Sequence, residues 1–171
     1  MKIKIVLALI VVSLILAACN TNNAQLEEEF PHEGFSYAAG EITFPITVNG
    51  VVIQVTGVQV FPGDDDVHAG YVYVVPTINI TNRSDEPVFA NQFSMRDEYF
   101  NEYQSWQTNV SFANQLQAMP EYVNTNQTTT GQQVFLVPEP ALKANMLLRW
   151  QSLVHESRID VAVGELSLPG Q

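Results

Sequence analysis

A single cysteine, Cys19, is all the thiol chemistry in this 171-residue chain. The folded part can therefore hold no internal disulfide, and burial of a core must keep it together. Basic residues are scarce too: 7 Lys and Arg stand against 18 Asp and Glu, a net charge of −11. So acidic a balance argues against nucleic acid as a partner and against charge-driven docking on anionic head groups. Only 3 histidines are present, His32, His68 and His155, too widely spaced for the close ligand pairs of zinc or copper sites. Met95, Met119 and Met146 show no paired spacing with them and read as core filler. There is no Gly-x-Ser-x-Gly, no His-Glu-x-x-His and no Gly-rich phosphate loop. An enzyme is not expected, and no cofactor is implied. An envelope hydrolase built on a carboxylate pair such as Asp97 and Glu98 is the most distant alternative.

Long hydrophobic runs are also nearly absent. The exception lies between Ile5 and Ala18, where Ser13 is the only polar residue, behind Lys2 and Lys4. Positive charge followed by a short apolar stretch is the layout of a secretory signal peptide. A spanning helix needs about 20 apolar residues, more than this run supplies. Asn20-Thr21-Asn22-Asn23 follows at once, so the run reads as a removed export signal. Its end, Leu16-Ala17-Ala18-Cys19, resembles the bacterial lipobox. The resemblance implies a diacylglyceryl group on the Cys19 thiol, cleavage before Cys19 and a location outside the cytoplasm, anchored to the cell membrane of a bacterium. Each buried methylene contributes about 0.8 kcal/mol, so two acyl chains suffice for stable anchoring without a helix.

Residues 1–18 are thus expected to be the signal and residues 19–39 a lipidated cysteine with a disordered acidic tether carrying Glu27-Glu28-Glu29 and Pro31. The remaining chain has 5 basic against 18 acidic residues once Lys2 and Lys4 leave, a net charge of −13. In a bacterium the Asn-x-Ser/Thr patterns at Asn79, Asn82, Asn109 and Asn126 are loop and strand-edge chemistry rather than glycan acceptors.

From residue 40 to 168 the pattern is β. EITFPITV and VVIQVTGVQVF meet at Asn49-Gly50, a strong hairpin signal, with Gly57 expected at a bulge. In YVYVVPTINIT, Val72, Val74, Ile78 and Ile80 alternate with Tyr71, Tyr73, Val75 and Thr77. Pro76 marks an edge or a bulge in that strand. About seven short strands with regular turn signals point to an all-β, immunoglobulin-like antiparallel sandwich. A short helical insertion is expected around 109–119, ending before Pro120.

Three stretches, VPTINITNRSDEPV, FSMRDEYFNEY and TNQTTTGQQVFLVP, resemble the Ig-like domain of unknown function found in Gram-positive surface lipoproteins. That family is related in fold to secreted immunoprotective antigens. The likeness spans most of residues 40–163 and implies a sandwich on a lipid anchor with a binding or envelope-associated role. The chain departs from the family pattern with Asn101 where Gly is usual and Asn126-Gln127 where Pro-Gly is usual. Asn tolerates the left-handed conformation such turns need.

Two features of the domain bear chemistry. Asp64, Asp65 and Asp66, in a loop with His68, are candidate metal ligands, because calcium takes several oxygens at flexible geometry. Consecutive aspartates do not match the alternating spacing of an EF-hand. A calcium- or metal-dependent binding module is the alternative to a plain binding domain, and a solvated turn is the plainer reading of the loop. Tyr99, Phe100, Tyr103 and Trp106 could form a stacking platform for sugar rings or peptide, which requires Trp106 to be exposed. The expected partners are the membrane, through the anchor, and an unknown protein or cell-envelope component.

Overall fold

The computed structural model describes residues 35–106 and 110–170. The leader, Cys19, His32, most of the tether and Asn109 lie outside the described residues. The strands are β1 (Ser36–Glu41), β2 (Ile46–Val48), β3 (Val51–Pro62), β4 (Tyr71–Asn82), β5 (Val88–Phe89) and β6 (Phe93–Asp97). They continue with β7 (Glu102–Gln104), β8 (Tyr122–Val123), β9 (Gln127–Gln132), β10 (Phe135–Pro138), β11 (Met146–Ser152) and β12 (Ser157–Gly164). No α-helix occurs among the described residues, and no helix there is long and apolar enough to cross a membrane.

The strands form an immunoglobulin-like β-sandwich. One sheet runs β1-β12-β11-β6-β7, the other β10-β4-β3-β2 with β9 also on β4, and β5 pairs with β8. Pairing is antiparallel except for β1, which lies parallel to β12. β1 also moves the domain boundary. Ser36 pairs with Ser157 and Ala39 with Asp160, so the last four residues of the expected tether belong to the sheet. Their alternation is legible afterwards: Ala38 packs on the core while Tyr37 faces out.

Period-2 patterning builds the core. Val51, Ile53, Val55, Ile78 and Ile80 meet Met95, Leu148, Trp150, Ile159 and Val161 across the two inner faces, all of them 0% exposed. The Asn49-Gly50 turn has φ of 45° and 80°, the pair of left-handed residues a tight two-residue hairpin needs. A register shift between Val55 and Gly57 marks the expected bulge. Pro76 sits where β4 changes partner: β10 covers residues 71–74 and β9 covers 77–82. The ladder therefore asks no donor of it there, and its carbonyl accepts from Gln133 N at 3.4 Å.

The second face of β4 is buried as well. Tyr73 and Val75 pack with Val110, Phe112 and Val134, flanked by Phe61, Trp106 and Leu116. This replaces the helical insertion expected at 109–119. Only Ala113–Gln115 forms a 3-10 turn. Around it the chain turns, Ala113 N donating to Val110 O at 2.9 Å and Leu116 N to Ala113 O at 3.1 Å, and it then runs along the sheet, with Gln117 and Gln132 exchanging bonds of 2.8 and 3.0 Å. The turn seats Val110 and Phe112, and less deeply Leu116, on this second face.

The sandwich thus has two distinct ends. The near end, where the chain arrives at Ser36, holds the Asn49-Gly50 turn, the loop after Asn82 and the β11–β12 turn. Asn49 Nδ2 donates to Ser157 Oγ at 2.9 Å, and Arg83 N to Gly50 O at 2.7 Å. The far end holds the β3–β4 loop, the β6–β7 turn and the 3-10 turn Glu139–Lys143.

Candidate functional site

Asp97, only 3% exposed, organises the far end. Its carboxylate accepts from Tyr99 N at 2.9 Å, Asn101 N at 3.0 Å, Asn101 Nδ2 at 2.8 Å and the Tyr103 hydroxyl at 2.8 Å. Burial pushes its pKa up, but the donors from Asn101, Tyr103 and Tyr99 outweigh this and hold it below the usual carboxylate value. The same burial and bond raise Tyr103, which keeps its proton. Asp97 therefore sets loop shape and is not a proton donor. The turn's left-handed residue is Phe100, with φ of 66°, rather than Asn101. Asn101 instead supplies two donors to Asp97, which glycine could not do. Asn126 takes the left-handed conformation in its own turn, with φ of 61°.

Freezing this turn leaves an open cleft of about 570 Å³ between it and the 3-10 turn, lined by Tyr99, Asn101, Glu102, Tyr103, Pro138 and Pro140. Tyr99 is 71% exposed at its rim. Phe100 lies beside the rim with the Arg96 guanidinium 5.5 Å from its ring centre. Of the aromatic platform read from sequence, Tyr99 and Tyr103 share this cleft and Trp106 does not. Trp106 is half-buried in the second cluster with Phe112 and Val134, and its backbone N–H donates to Val134 O at 2.7 Å. Its position follows from the turn at residues 110–116, whose Val110 and Phe112 join it in covering Tyr73 and Val75.

The three aspartates of the β3–β4 loop are split. Asp64 turns inward, accepting from the Tyr73 hydroxyl at 2.8 Å, Asp66 N at 3.2 Å and Ser111 N at 3.4 Å. The Tyr73 bond is the main reason its pKa lies below the usual carboxylate value. Burial, then Asp64, pushes Tyr73 up to about 12. Asp65, Asp66 and His68 are exposed. Among the described residues no three His, Cys, Asp or Glu side chains converge as a metal site. A smaller hollow of about 210 Å³ lies here, bordered by Asp64, His68, Tyr71 and Glu139. Glu139 N donates to Gly70 O at 2.8 Å, so the β10–turn ridge separates the two hollows.

One polar cluster escaped the sequence reading altogether. Asp160 bonds Arg149 through Nε at 2.8 Å and Nη2 at 2.9 Å, and Arg158 through Nη2 at 2.6 Å. All three are at most 9% exposed. Burial raises Asp160, but the two guanidiniums win and lower it. The signal was present, since Arg149 alternates with Leu148 and Trp150, and Arg158 and Asp160 with Ile159 and Val161. They stand on the sheet face away from the core, where they tie β11 to β12.

No protein-family model and no curated protein matches this chain. Among solved structures, the yjhA protein of Bacillus subtilis aligns with a TM-score of 0.55 at 12% identity, over 72% of this chain and 99% of that one. The ycdA protein of Bacillus subtilis, described as a lipoprotein, aligns with a TM-score of 0.55 at 10% identity. That match covers 72% of this chain but only 39% of that one. An uncharacterized β-sandwich protein of Clostridium difficile aligns with a TM-score of 0.47 at 10% identity, over 78% and 99%. At these identities the likeness is one of fold.

Proposed function

We propose that this protein is a lipid-anchored surface domain outside the cytoplasm that binds a protein or envelope partner without catalysis, through the far-end cleft. The observation carrying the reading is the opposition of the two ends. The chain coming from Cys19 joins the sandwich at Ser36, and the cleft with exposed Tyr99 lies at the other end. Attachment at Ser36 leaves the cleft end free for a partner. The Leu16-Ala17-Ala18-Cys19 pattern and the likeness to family lipoproteins support the anchor, and the fold shared with ycdA, described as a lipoprotein, agrees with it.

The cleft's chemistry suits recognition. Tyr99, Pro138 and Pro140 offer flat apolar surface, while Asn101 and Glu102 offer directional hydrogen bonds. Asp97 has its lone pairs occupied and Tyr103 donates to it, so neither is free to move a proton. Binding is tested by capturing partners from solubilised membranes with the native protein and with Tyr99→Ala. Partners held by the native protein and lost with Tyr99→Ala support the cleft. Equal capture by both removes it. The anchor is tested by fractionation: Cys19→Ser releases the protein from membranes and ends incorporation of labelled lipid, and a variant that stays membrane-bound and labelled rejects the anchor.

A further inference from the structure

The β11–β12 turn at the near end has the wrong side chains for a solvated turn. Turns favour Gly, Asn, Asp and Ser, yet its tip is Leu153-Val154, 75% and 57% exposed. It is also held rigidly. His155 N donates to Ser152 Oγ at 3.3 Å, and the His155 carbonyl accepts from Ser157 Oγ at 2.6 Å and Asn49 Nδ2 at 3.2 Å. The His155 ring nitrogen lies 3.2 Å from Pro87 O. Glu156 closes the turn at φ of 43°, a left-handed conformation that glycine would adopt without strain. A strained, heavily bonded turn that holds two aliphatic side chains outward is built to present them.

The position of the turn identifies what they meet. Ser36 N, at the point where the chain arrives from Cys19, donates to Glu156 O of this same turn at 2.8 Å. Tyr37, 51% exposed, is the next residue. Sixteen residues, 20–35, separate Cys19 from that bond, so a lipid on Cys19 keeps the turn within about 55 Å of the bilayer, the reach of an extended chain of that length. We infer that Leu153 and Val154 dip into the membrane interface beside the anchor and fix the orientation of the domain. The inference rests on the lipid-anchor reading. Two aliphatic side chains bind a bilayer too weakly alone, but tethering raises their effective concentration at its surface. Exposed Asp85, Glu86 and Glu156 outnumber exposed Arg83 at the same end, so the contact is made by the apolar tip and weakens as anionic lipid increases.

The test couples Cys19, the chain's only thiol, chemically to a maleimide lipid in phosphatidylcholine vesicles, using the chain from residue 19 onward. This supplies the anchor whether or not cells do, so its failure is distinguishable from failure of the anchor reading, which Cys19→Ser fractionation measures. Leu153→Trp carries the readout, compared with the unsubstituted protein to subtract Trp106 and Trp150. Blue-shifted emission from the added tryptophan, quenched by brominated acyl chains and weakened when phosphatidylglycerol replaces phosphatidylcholine, is expected. Emission that brominated lipid leaves unchanged overturns the inference. So does a blue shift that follows protein density and ignores bromine, because a second copy then covers the turn.

Discussion

The two ends of the sandwich are ordered by different chemistry. At the far end carboxylates do it: Asp97 gathers four donors and Asp64 gathers three. At the near end neutral groups do it. Asn82, wholly buried, donates to Glu86 O at 2.7 Å and Val123 O at 2.9 Å while accepting from Ser84 N at 2.9 Å. Asn49, Ser152 and Ser157 fix the β11–β12 turn in the same way. What each end leaves exposed differs accordingly, with tyrosine and glutamate around a cleft at one and leucine and valine on a tip at the other. A charged organiser makes far-end order depend on protonation, whereas the Asn82, Asn49, Ser152 and Ser157 bonds at the near end do not.

Removing the organisers should break the two ends separately. Asn82→Ala is expected to cost about 3 kcal/mol, because the Glu86 and Val123 carbonyls lose their donor and the Ser84 amide its acceptor in a buried site. Chemical denaturation measures it. Asp97→Asn keeps the shape but sets an amide NH2, which cannot accept, against two of the four donors, and should cost about 2–3 kcal/mol. Hydrogen exchange is expected to show that loss in the amides of Tyr99 and Asn101, with the near end unchanged.

Acid sharpens the contrast. The pKa of Asp97 is lowered by folding, so its contribution is fully present above the unfolded carboxylate value, about 3.9, and is lost as pH falls through the folded value. Below pH 4 the amides of Tyr99 and Asn101 should lose exchange protection before that of Ser84. Asp160 follows the same sign, so overall stability falls in the same window. The far end has an alkaline limit too. Folding raises Tyr73 to about 12, so its bonded phenol stabilises the fold below the unfolded tyrosine value, about 10, and that contribution is lost as pH rises toward 12. Tyr73→Phe should delete one late step from the absorbance titration. The smallest expected effect is that of calcium. Millimolar calcium should leave the melting temperature unchanged, because Asp64 is bonded inward and Asp65 and Asp66 point to solvent.

Strands were legible in the sequence wherever one residue in two faces a core, as in β3 and β4, and so was the hairpin at Asn49-Gly50. The path of residues 110–117 was not legible. Its apolar residues answer to Tyr73 and Val75 on a distant strand, and local spacing cannot report that. The same distant strand decides that Trp106 helps cover Tyr73 and Val75 rather than joining the cleft. At the candidate site, Tyr99 and Tyr103 could be named from their clustering. The role of Asp97 could not, since half of its donors are backbone amides that every sequence possesses. The aspartate run was legible as a loop, but not the inward turn of Asp64 onto Tyr73, because successive side chains in a turn diverge.

The most direct measurement uses the fact that a lipidated Cys19 leaves the native chain without a free thiol. Tyr99→Cys and Leu153→Cys are each expressed in cells and exposed to a membrane-impermeant maleimide. The native protein should not label, Tyr99→Cys should label as fast as in detergent, and Leu153→Cys should label slowly until detergent is added. Labelling of the native protein at Cys19, or equal rates at both introduced cysteines on intact cells, would contradict an anchored domain that turns its cleft away from the membrane.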